Sequence, residues 1–137
     1  MRLHGYADRL ELDENGDVVV VDLKTGKYAP AGPEVERHSQ LGLYQRAVDN
    51  GAADELVGRP AASGGAELVQ LRLGDGLPKV QHQAPASGDG PRLVELQLSQ
   101  ATAALRAEEF AARPGTHCER CTFWAVCPAK ASGTVLS

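Results

Sequence analysis

Two aspartates and a lysine near the start of the chain are the residues whose types and spacing point most clearly to chemistry. Asp8 lies in the segment Gly5-Tyr6-Ala7-Asp8-Arg9, and the other two lie in Asp22-Leu23-Lys24, at the end of an apolar run. Paired carboxylates bind hard cations such as Mg²⁺ or Mn²⁺, and a neighbouring ammonium group stabilises negative charge on phosphoryl oxygens. Together they predict a metal-dependent site that cleaves phosphodiester bonds.

A β-hairpin is expected to position these residues. Two runs of alternating apolar residues, Leu3 to Leu12 and Val18 to Lys24, flank the segment 13–17. This segment contains Asn15-Gly16, and an Asn-Gly pair between two such runs is the strongest short-range hairpin signal. The two runs should therefore pair as antiparallel strands.

The length of the hairpin loop decides whether the two carboxylates face each other. With an odd-length loop centred on Asn15, Asp8 lies opposite Asp22; with an even-length loop it lies opposite Leu23, and the carboxylates separate. We predict the first register, because only this register gathers Asp8, Asp22 and Lys24 in one patch. Its other pairs are Leu10 with Val20 and Leu12 with Val18.

Two opposed carboxylates need a positive partner, because cross-strand Cβ atoms lie only about 4.5–5.5 Å apart and like charges there repel. A divalent cation between Asp8 and Asp22 meets this need. The alternative is that these polar residues are ordinary positions on a solvated sheet face. The apolar run Val18 to Val21 argues against it, since such a run is typical of a buried strand, where an Asp and a Lys require a reason.

Four motifs in this order resemble the RecB-like branch of the PD-(D/E)xK nucleases. Residues 5–9 resemble its Gly-x-x-Asp-Arg strand, and Asp22-Leu23-Lys24-Thr25-Gly26-Lys27 resembles its Asp-x-Lys-Thr-Gly strand end. Gln40-Leu41-Gly42-Leu43-Tyr44 resembles its Gln-x-x-x-Tyr helix motif. Cys118-x-x-Cys121 followed by Cys127-Pro128 resembles the trailing cysteines of the iron–sulfur members. Such domains form the C-terminal nuclease of RecB-, AddB- and AdnB-type helicase-nucleases.

The resemblance implies a fold and a set of residue roles. The expected fold is α/β, a restriction-endonuclease-like mixed sheet with flanking helices. Asp8, Asp22 and the backbone carbonyl of Leu23 are expected to bind Mg²⁺ or Mn²⁺. Lys24 is expected to position the attacking water or to stabilise the transition state.

Gln40 and Tyr44 are four residues apart and therefore share one face of a helix. The resemblance puts that face beside the active site, in contact with the DNA backbone and the catalytic residues. The alternative is a plain amphipathic helix from Glu34 to Asp49, with Leu41, Tyr44 and Val48 as its core stripe. The neighbouring Asp-x-Lys motif favours the catalytic interpretation.

The three cysteines, Cys118, Cys121 and Cys127, form an odd, clustered set, which is typical of metal ligation rather than of disulfides. With no apolar signal or spanning segment in the sequence, they indicate a cytoplasmic protein without a membrane partner. Their spacing suits zinc or an iron–sulfur cluster. The resemblance favours a [4Fe-4S] cluster, whose fourth cysteine lies upstream of the strands in the family.

Because that cysteine and the family's leading helices have no counterpart here, the chain is expected to be a fragment. The cluster is then incomplete in it, and activity is expected of the full-length parent. The predicted organisation is a nuclease core over residues 1–115 and a cysteine-containing segment over residues 116–137. A loop over residues 58–65, a strand over 66–73 and a helix over 92–112 complete the core, with Pro91 at the start of that helix. The apolar face predicted for the helix consists of Leu93, Leu96, Ala103 or Ala104, and Phe110.

Composition fits one modest domain of 137 residues that is 42% hydrophobic and 23% charged. The net charge of −4 argues against strong intrinsic DNA affinity, which comes from Lys and Arg. An aromatic content of 4% argues against base stacking as a main mode of contact. Local positive potential is expected from four side chains near the site, Lys24, Lys27, Arg37 and Arg46.

Three functions compete. The leading one is a metal-dependent DNA nuclease domain of a RecB-like helicase-nuclease in double-strand-break repair and recombination, with DNA and the helicase part of the parent as partners. The second is an iron–sulfur exonuclease of CRISPR spacer acquisition, which has the same motif order. The third is an inactive nuclease fold kept as a scaffold or DNA clamp. The intact set Asp8, Asp22, Lys24 and Gln40 argues against the third.

Overall fold

The computed structural model describes residues 4–86 and 92–129. The chain divides into two compact units, residues 1–99 and 100–137. The first unit contains the sheet, and the second contains the cysteines. The predicted boundary between residues 115 and 116 stays a prediction.

A four-stranded mixed sheet organises the first unit. Its strands are Arg9–Leu12 (β1), Val18–Lys24 (β2), Ser63–Gln70 (β3) and Lys79–Gln83 (β4), and they lie side by side in this order. β2 and β3 are parallel, whereas β1 and β4 run antiparallel to their neighbours. A parallel pair needs a crossover, and helices between β2 and β3 supply it. The expected α/β mixed sheet with flanking helices is confirmed.

Several strand ends differ from those predicted. β1 begins at Arg9; residues 4–8 form no strand, and Leu3 lies outside the described residues. β3 begins at Ser63, inside the predicted loop, and ends at Gln70 rather than at Leu73. Glycine permits the early start, because Gly65 has φ of +113° and a Cβ there would lie 2.7 Å from the backbone oxygen of Gln83. β4 was not predicted, because four of its five residues are polar and the segment shows no alternation of apolar and polar residues.

Four helices are present in the described part of the chain. They are Gly32–Glu36 (α1), Ser39–Asp49 (α2), Asp54–Val57 (α3) and Leu93–Ala107 (α4), and two short 3₁₀ helices follow at Thr116–Arg120 and Trp124–Val126. α4 ends five residues before the predicted position 112. Glu108 adopts φ of +54°, and the N–H of Glu109 donates to the Ala104 carbonyl at 3.0 Å, which is how a left-handed residue closes a helix. The predicted start at Pro91 lies outside the described residues.

The single helix predicted from Glu34 to Asp49 is two helices, and Gln83 of β4 occupies the break. Its side-chain amide donates to the carbonyls of Val35 at 2.8 Å and His38 at 3.2 Å. Its side-chain oxygen accepts a hydrogen bond from Gln45 of α2 at 2.9 Å. The Val35 and His38 carbonyls also accept backbone hydrogen bonds, from the N–H groups of His38 and Gly42, so the Gln83 amide adds a further bond to each. The break is therefore a tertiary feature that joins the crossover helices to β4.

The core lies between the sheet and the crossover helices. Its buried residues come from β2, β3, α1, α2 and the turn before α3: Val18, Val20, Val35, Leu41, Val48, Ala53, Ala66 and Leu68. Tyr44 is partly buried against this cluster. Leu41, Tyr44 and Val48, the core stripe of the amphipathic-helix alternative, thus face the core.

The predicted apolar face of α4 is wrong. Leu93 and Leu96 are 45% and 48% exposed, and Phe110, which lies beyond the helix, is 73% exposed. Val94 is buried instead, and its Cβ lies 3.1 Å from where a Cβ on Gly42 would be. The packing surface starts one residue later because Gly42 lets α4 approach α2 closely. No helix in residues 4–86 or 92–129 has the length and apolarity to cross a bilayer.

Candidate active site

The register of the β1–β2 hairpin brings Asp8 to the end of β2 that carries Asp22. The predicted pairs Leu10–Val20 and Leu12–Val18 are confirmed. The loop is odd-length: the N–H of Asp13 donates to the Asp17 carbonyl at 2.9 Å, and Gly16 takes the left-handed conformation with φ of +83°. A turn followed by a left-handed glycine is a common way to close a hairpin with such a loop.

Asp8 bends out of the strand before it can form the predicted ladder pair with Asp22. One oxygen of its carboxylate accepts a hydrogen bond from the backbone N–H of Leu23 at 2.8 Å. With this register, the N–H of Leu23 would otherwise pair with residue 7. The Asp8 side chain takes that place, and β1 accordingly begins only at Arg9. The carboxylate therefore lies against the Asp22-Leu23-Lys24 segment, although not opposite Asp22.

The backbone carbonyl of Leu23 lies on the same side of β2 as the Asp8 carboxylate. In a strand, the N–H and C=O of one residue point toward the same neighbour, and those of the next residue point the other way. The carbonyl of Lys24 accordingly accepts the N–H of Leu71 beside β3 at 2.9 Å. The Leu23 carbonyl thus points to the β1 side, where the β1 ladder has already ended.

Asp22 is a buried carboxylate that is only partly satisfied. The residue is 3% exposed, and its Oδ2 lies 2.5 Å from the Nζ of Lys24. This oxygen accepts no hydrogen bond of standard geometry from the described residues. A buried charge normally has both a counter-ion and hydrogen bonds, so this oxygen can accept a further positive partner.

Lys24, Gln40 and Tyr44 form one directed chain of hydrogen bonds. Lys24 Nζ donates to Gln40 Oε1 at 3.1 Å, and Gln40 Nε2 donates to the hydroxyl of Tyr44 at 2.9 Å. That hydroxyl donates in turn to the backbone carbonyl of Tyr6 at 2.9 Å. The chain links β2, α2 and the segment that carries Asp8, so the sequence-predicted residues are brought into one place.

One of the four cations expected to give local positive potential near the site, Arg46, is paired with an acid. Arg46 is paired with Glu95, with Nε and Oε1 3.1 Å apart, so its positive charge is offset. Lys27 and Arg37 are exposed.

At the end of α2, the pKa of Asp49 is set by opposing effects. Burial raises this pKa, whereas hydrogen bonds from the Arg92 side chain and the Ser63 backbone lower it, as do the charges of Arg92 and Arg46. The lowering effects outweigh burial and leave the pKa of Asp49 below its ordinary value.

The cysteines of the second unit line one cavity of about 190 Å³ together with Pro114, Trp124 and Ala129. All three, Cys118, Cys121 and Cys127, are reduced and partly buried. The Sγ of Cys118 accepts a hydrogen bond from the N–H of Gly115 at 3.3 Å. Within the described ranges, no three His, Cys, Asp or Glu side chains converge on a position for one ion.

Two site features escaped the sequence analysis. The backbone carbonyl of Tyr6 anchors Tyr44, and no sequence pattern signals a backbone acceptor. Gln70 is 1% exposed at the end of β3 and pairs in register with Lys24. Gln70 shares its parity with Leu68, but Val69, Leu71 and Leu73 on the other face are apolar as well, so the pattern does not tell which face is buried.

Comparison with known proteins is consistent with this geometry. No match was found among curated proteins. The family model described as the PD-(D/E)XK nuclease superfamily matches residues 1–128, which include the hairpin, α2 and the three cysteines. Because that match spans nearly the whole chain, the chain belongs to the PD-(D/E)XK nuclease superfamily.

Proposed function

We propose that this chain is the nuclease module of a cytoplasmic RecB-like helicase-nuclease, in which it hydrolyses DNA phosphodiester bonds during double-strand-break repair. The observation that carries the proposal is the linked set at the end of the hairpin. Asp22 pairs with Lys24, Lys24 donates to Gln40, and Asp8 is held against the same segment. Membership of a nuclease superfamily supports hydrolysis as the reaction and DNA as the substrate.

The donor set fits a hard divalent cation. The buried Oδ2 of Asp22 lacks a hydrogen bond from the described residues, and the Asp8 carboxylate and Leu23 carbonyl lie on the neighbouring side of the segment. Mg²⁺ prefers oxygen ligands and commonly uses one or two carboxylates, with water and substrate phosphate completing its shell. Asp8, Asp22 and the Leu23 carbonyl would hold it. When bound, such an ion neutralises charge on the phosphate and activates water.

The remaining residues orient the groups of the site and stabilise the charge that develops in the reaction. Lys24 presents an ammonium group at the mouth of the site, where it stabilises negative charge that develops on the phosphoryl oxygens. Gln40 accepts from that ammonium and so limits its movement. Tyr44 fixes the orientation of the Gln40 amide and ties α2 to Tyr6, two residues before Asp8.

The cysteine segment is proposed to hold a [4Fe-4S] cluster in the full-length parent, with a fourth cysteine from outside this chain. A cavity of about 190 Å³ is several times the roughly 30 Å³ share of one water molecule, which suits a cluster of several atoms. Three cysteine side chains around one cavity would supply three of the four ligands that a [4Fe-4S] cluster takes. Absorption spectra of the anaerobically purified parent test this, and a colourless, zinc-loaded protein would contradict it.

DNA delivery is assigned to the helicase part of the parent, because the chain carries a net charge of −4 and Arg46 is paired. Lys27 and Arg37, which are exposed, supply local contacts to phosphates. We therefore expect weak DNA binding by the isolated chain and substantially stronger binding by the parent.

Cleavage assays on the full-length parent test the catalytic assignment. Single- and double-stranded DNA are incubated with Mg²⁺ or Mn²⁺ and wild type, Asp22→Asn or Lys24→Ala, with Asp75→Asn in an exposed loop as the matched control. We expect each site variant to lose at least about a hundredfold in rate and the control to match wild type. Full activity in both site variants would refute the assignment. A folded wild type that binds DNA but cleaves none would favour the scaffold function.

A further inference from the structure

Gln70 is a buried amide at the end of β3 whose polarity the fold does not explain. The residue is 1% exposed, less than Asp22, and its side-chain oxygen has no hydrogen-bond partner among the described residues. Buried polar atoms in native proteins are nearly always paired, and an unpaired one in a core position needs an explanation. An apolar residue would fill the same position without this cost.

The position of Gln70 places it beside Lys24. The two residues are register partners in the parallel β2–β3 ladder, and the N–H of Leu71 donates to the Lys24 carbonyl at 2.9 Å. Register partners in adjacent strands lie about 4.7–4.9 Å apart with side chains on the same face. That face also carries Val20 and Leu68 of the core, so the row runs from the core into the site.

Lys24 has a hydrogen-bonding requirement that matches this acceptor. An ammonium group has three donors, and here it contacts the Oδ2 of Asp22 and the Oε1 of Gln40. If Asp22 binds a divalent cation, that oxygen is shared with a competing positive charge, and the ammonium loses its closest partner. The unpaired oxygen of Gln70 is an acceptor on the neighbouring strand of the same face.

We propose that Gln70 is a positioning residue of the nuclease site: its side-chain oxygen accepts a hydrogen bond from the Lys24 ammonium group when a divalent cation at Asp22 weakens the Asp22–Lys24 ion pair. This inference rests on the proposed function. Gln70 then keeps the ammonium group at the site mouth in the loaded protein, together with Gln40. Its oxygen, which has no hydrogen-bond partner among the described residues, is the acceptor for that bond.

Nuclear magnetic resonance of the lysine ammonium groups tests this without any turnover. The chain has only four lysines, Lys24, Lys27, Lys79 and Lys130, so ¹⁵N-lysine labelling gives few signals and Lys24→Arg assigns the relevant one. Spectra are recorded with and without Mg²⁺ alone, in the absence of DNA. The variants are Gln70→Met, which keeps the chain length without an acceptor, and Gln70→Glu, which restores one.

The matched control is Gln81→Met. Gln81 lies on the same face of β4 and also has an unpaired side-chain oxygen, but it pairs with Leu68 and donates to the Pro30 carbonyl at 2.8 Å. Wild type, Gln70→Glu and Gln81→Met are expected to keep an exchange-protected Lys24 ammonium signal in Mg²⁺. Gln70→Met should show this signal only without Mg²⁺. In the parent, the same variant should lose about 10- to 100-fold in kcat with little change in KM.

The outcomes separate the two proposals. If wild type binds Mg²⁺ by calorimetry and Gln70→Met keeps the protected signal, the role of Gln70 is overturned while the nuclease assignment stands. If wild type binds neither Mg²⁺ nor Mn²⁺, both proposals fail. Thermal melting checks the fold, and Gln70→Met is expected to melt no lower than wild type, because it removes an unpaired buried oxygen.

Discussion

The hydroxyl of Tyr44 on α2 donates a hydrogen bond to the backbone carbonyl of Tyr6, with the two oxygens 2.9 Å apart. This bond ties the crossover helix to the segment that carries Asp8, which has no strand partner of its own before Arg9. The position of one proposed metal ligand therefore depends on a residue 36 positions later in the chain, Tyr44.

Replacing Tyr44 by Phe should weaken the site more than the fold. The variant loses one hydrogen bond to Tyr6 and the acceptor for Gln40, which costs about 1 kcal/mol of unfolding free energy. Nuclease activity of the parent should fall about tenfold or more, because the Gln40 amide and the Asp8 segment are released. Urea unfolding and cleavage assays measure the two effects. Tyr28→Phe, at an 87% exposed position, is the control, and equal behaviour of the two variants would contradict this role.

Leu41 should be the most costly truncation in α2. Its side chain is fully buried between the sheet and the helix, so Leu41→Ala leaves a cavity and should lower the unfolding free energy by about 2–5 kcal/mol. The matched control is Leu56→Ala on α3, where the side chain is 79% exposed and the loss should stay below about 0.5 kcal/mol. Chemical denaturation measures both. A loss at Leu41 no larger than that at Leu56 would show that α2 does not pack as described.

The stability of the fold should depend on Asp49 at low pH. Hydrogen bonds and the positive charges of Arg92 and Arg46 overcome the effect of burial, so the pKa of Asp49 lies below 3.8 in the folded chain. A lowered pKa means that this stabilisation is complete well above pH 3.8 and is lost as the pH falls through the folded value.

Wild type should therefore lose more stability than Asp49→Asn as the pH falls from about 5 toward 2. Urea midpoints at several pH values measure the difference. The control is Glu95→Gln, which removes the carboxylate that pairs with Arg46. The Glu95 side chain is more exposed than that of Asp49, and a surface ion pair contributes only about 0–1 kcal/mol. Parallel pH profiles for wild type and Asp49→Asn would show that the Arg92 interaction contributes nothing.

Gly65 should tolerate no side chain. Its φ of +113° strains any larger residue, and an alanine methyl group there would clash with the Gln83 backbone oxygen at 2.7 Å. Gly65→Ala should cost at least about 1–3 kcal/mol of unfolding free energy. Gly76→Ala is the control. Gly76 has a similarly unfavourable φ of +85°, but no other atom lies within 4 Å of its Cβ position, so this variant measures the cost of backbone strain without a clash. Thermal and urea unfolding compare the two, and equal losses would mean that no clash exists.

The hairpin was predictable because its determinants are local. Asn15-Gly16 closes the loop, and the alternation on both sides of the loop sets the pairs Leu10–Val20 and Leu12–Val18. What the sequence could not show is where β1 begins. Asp8 leaves the ladder because its own carboxylate hydrogen-bonds the N–H of Leu23, a competition between side chain and backbone that no periodicity reports.

The break between α1 and α2 and the strand β4 were missed for a common reason. Gln83 belongs to a polar strand with weak alternation, and its amide donates to three carbonyls around the break. The helix break depends on the strand, because Gln83 and the carbonyls that it contacts are more than 40 residues apart in the sequence. Gln70 was missed likewise, because its importance comes from lying beside Lys24 in a parallel ladder.

The donor that restrains the Asp8 carboxylate belongs to the main chain of Leu23 and not to its side chain. Every amino acid except proline offers that same N–H, so mutation of this middle position of Asp-x-Lys leaves the contact intact. The side chain there, which is 40% exposed, is consequently free to change in size and polarity without disturbing the neighbouring carboxylate.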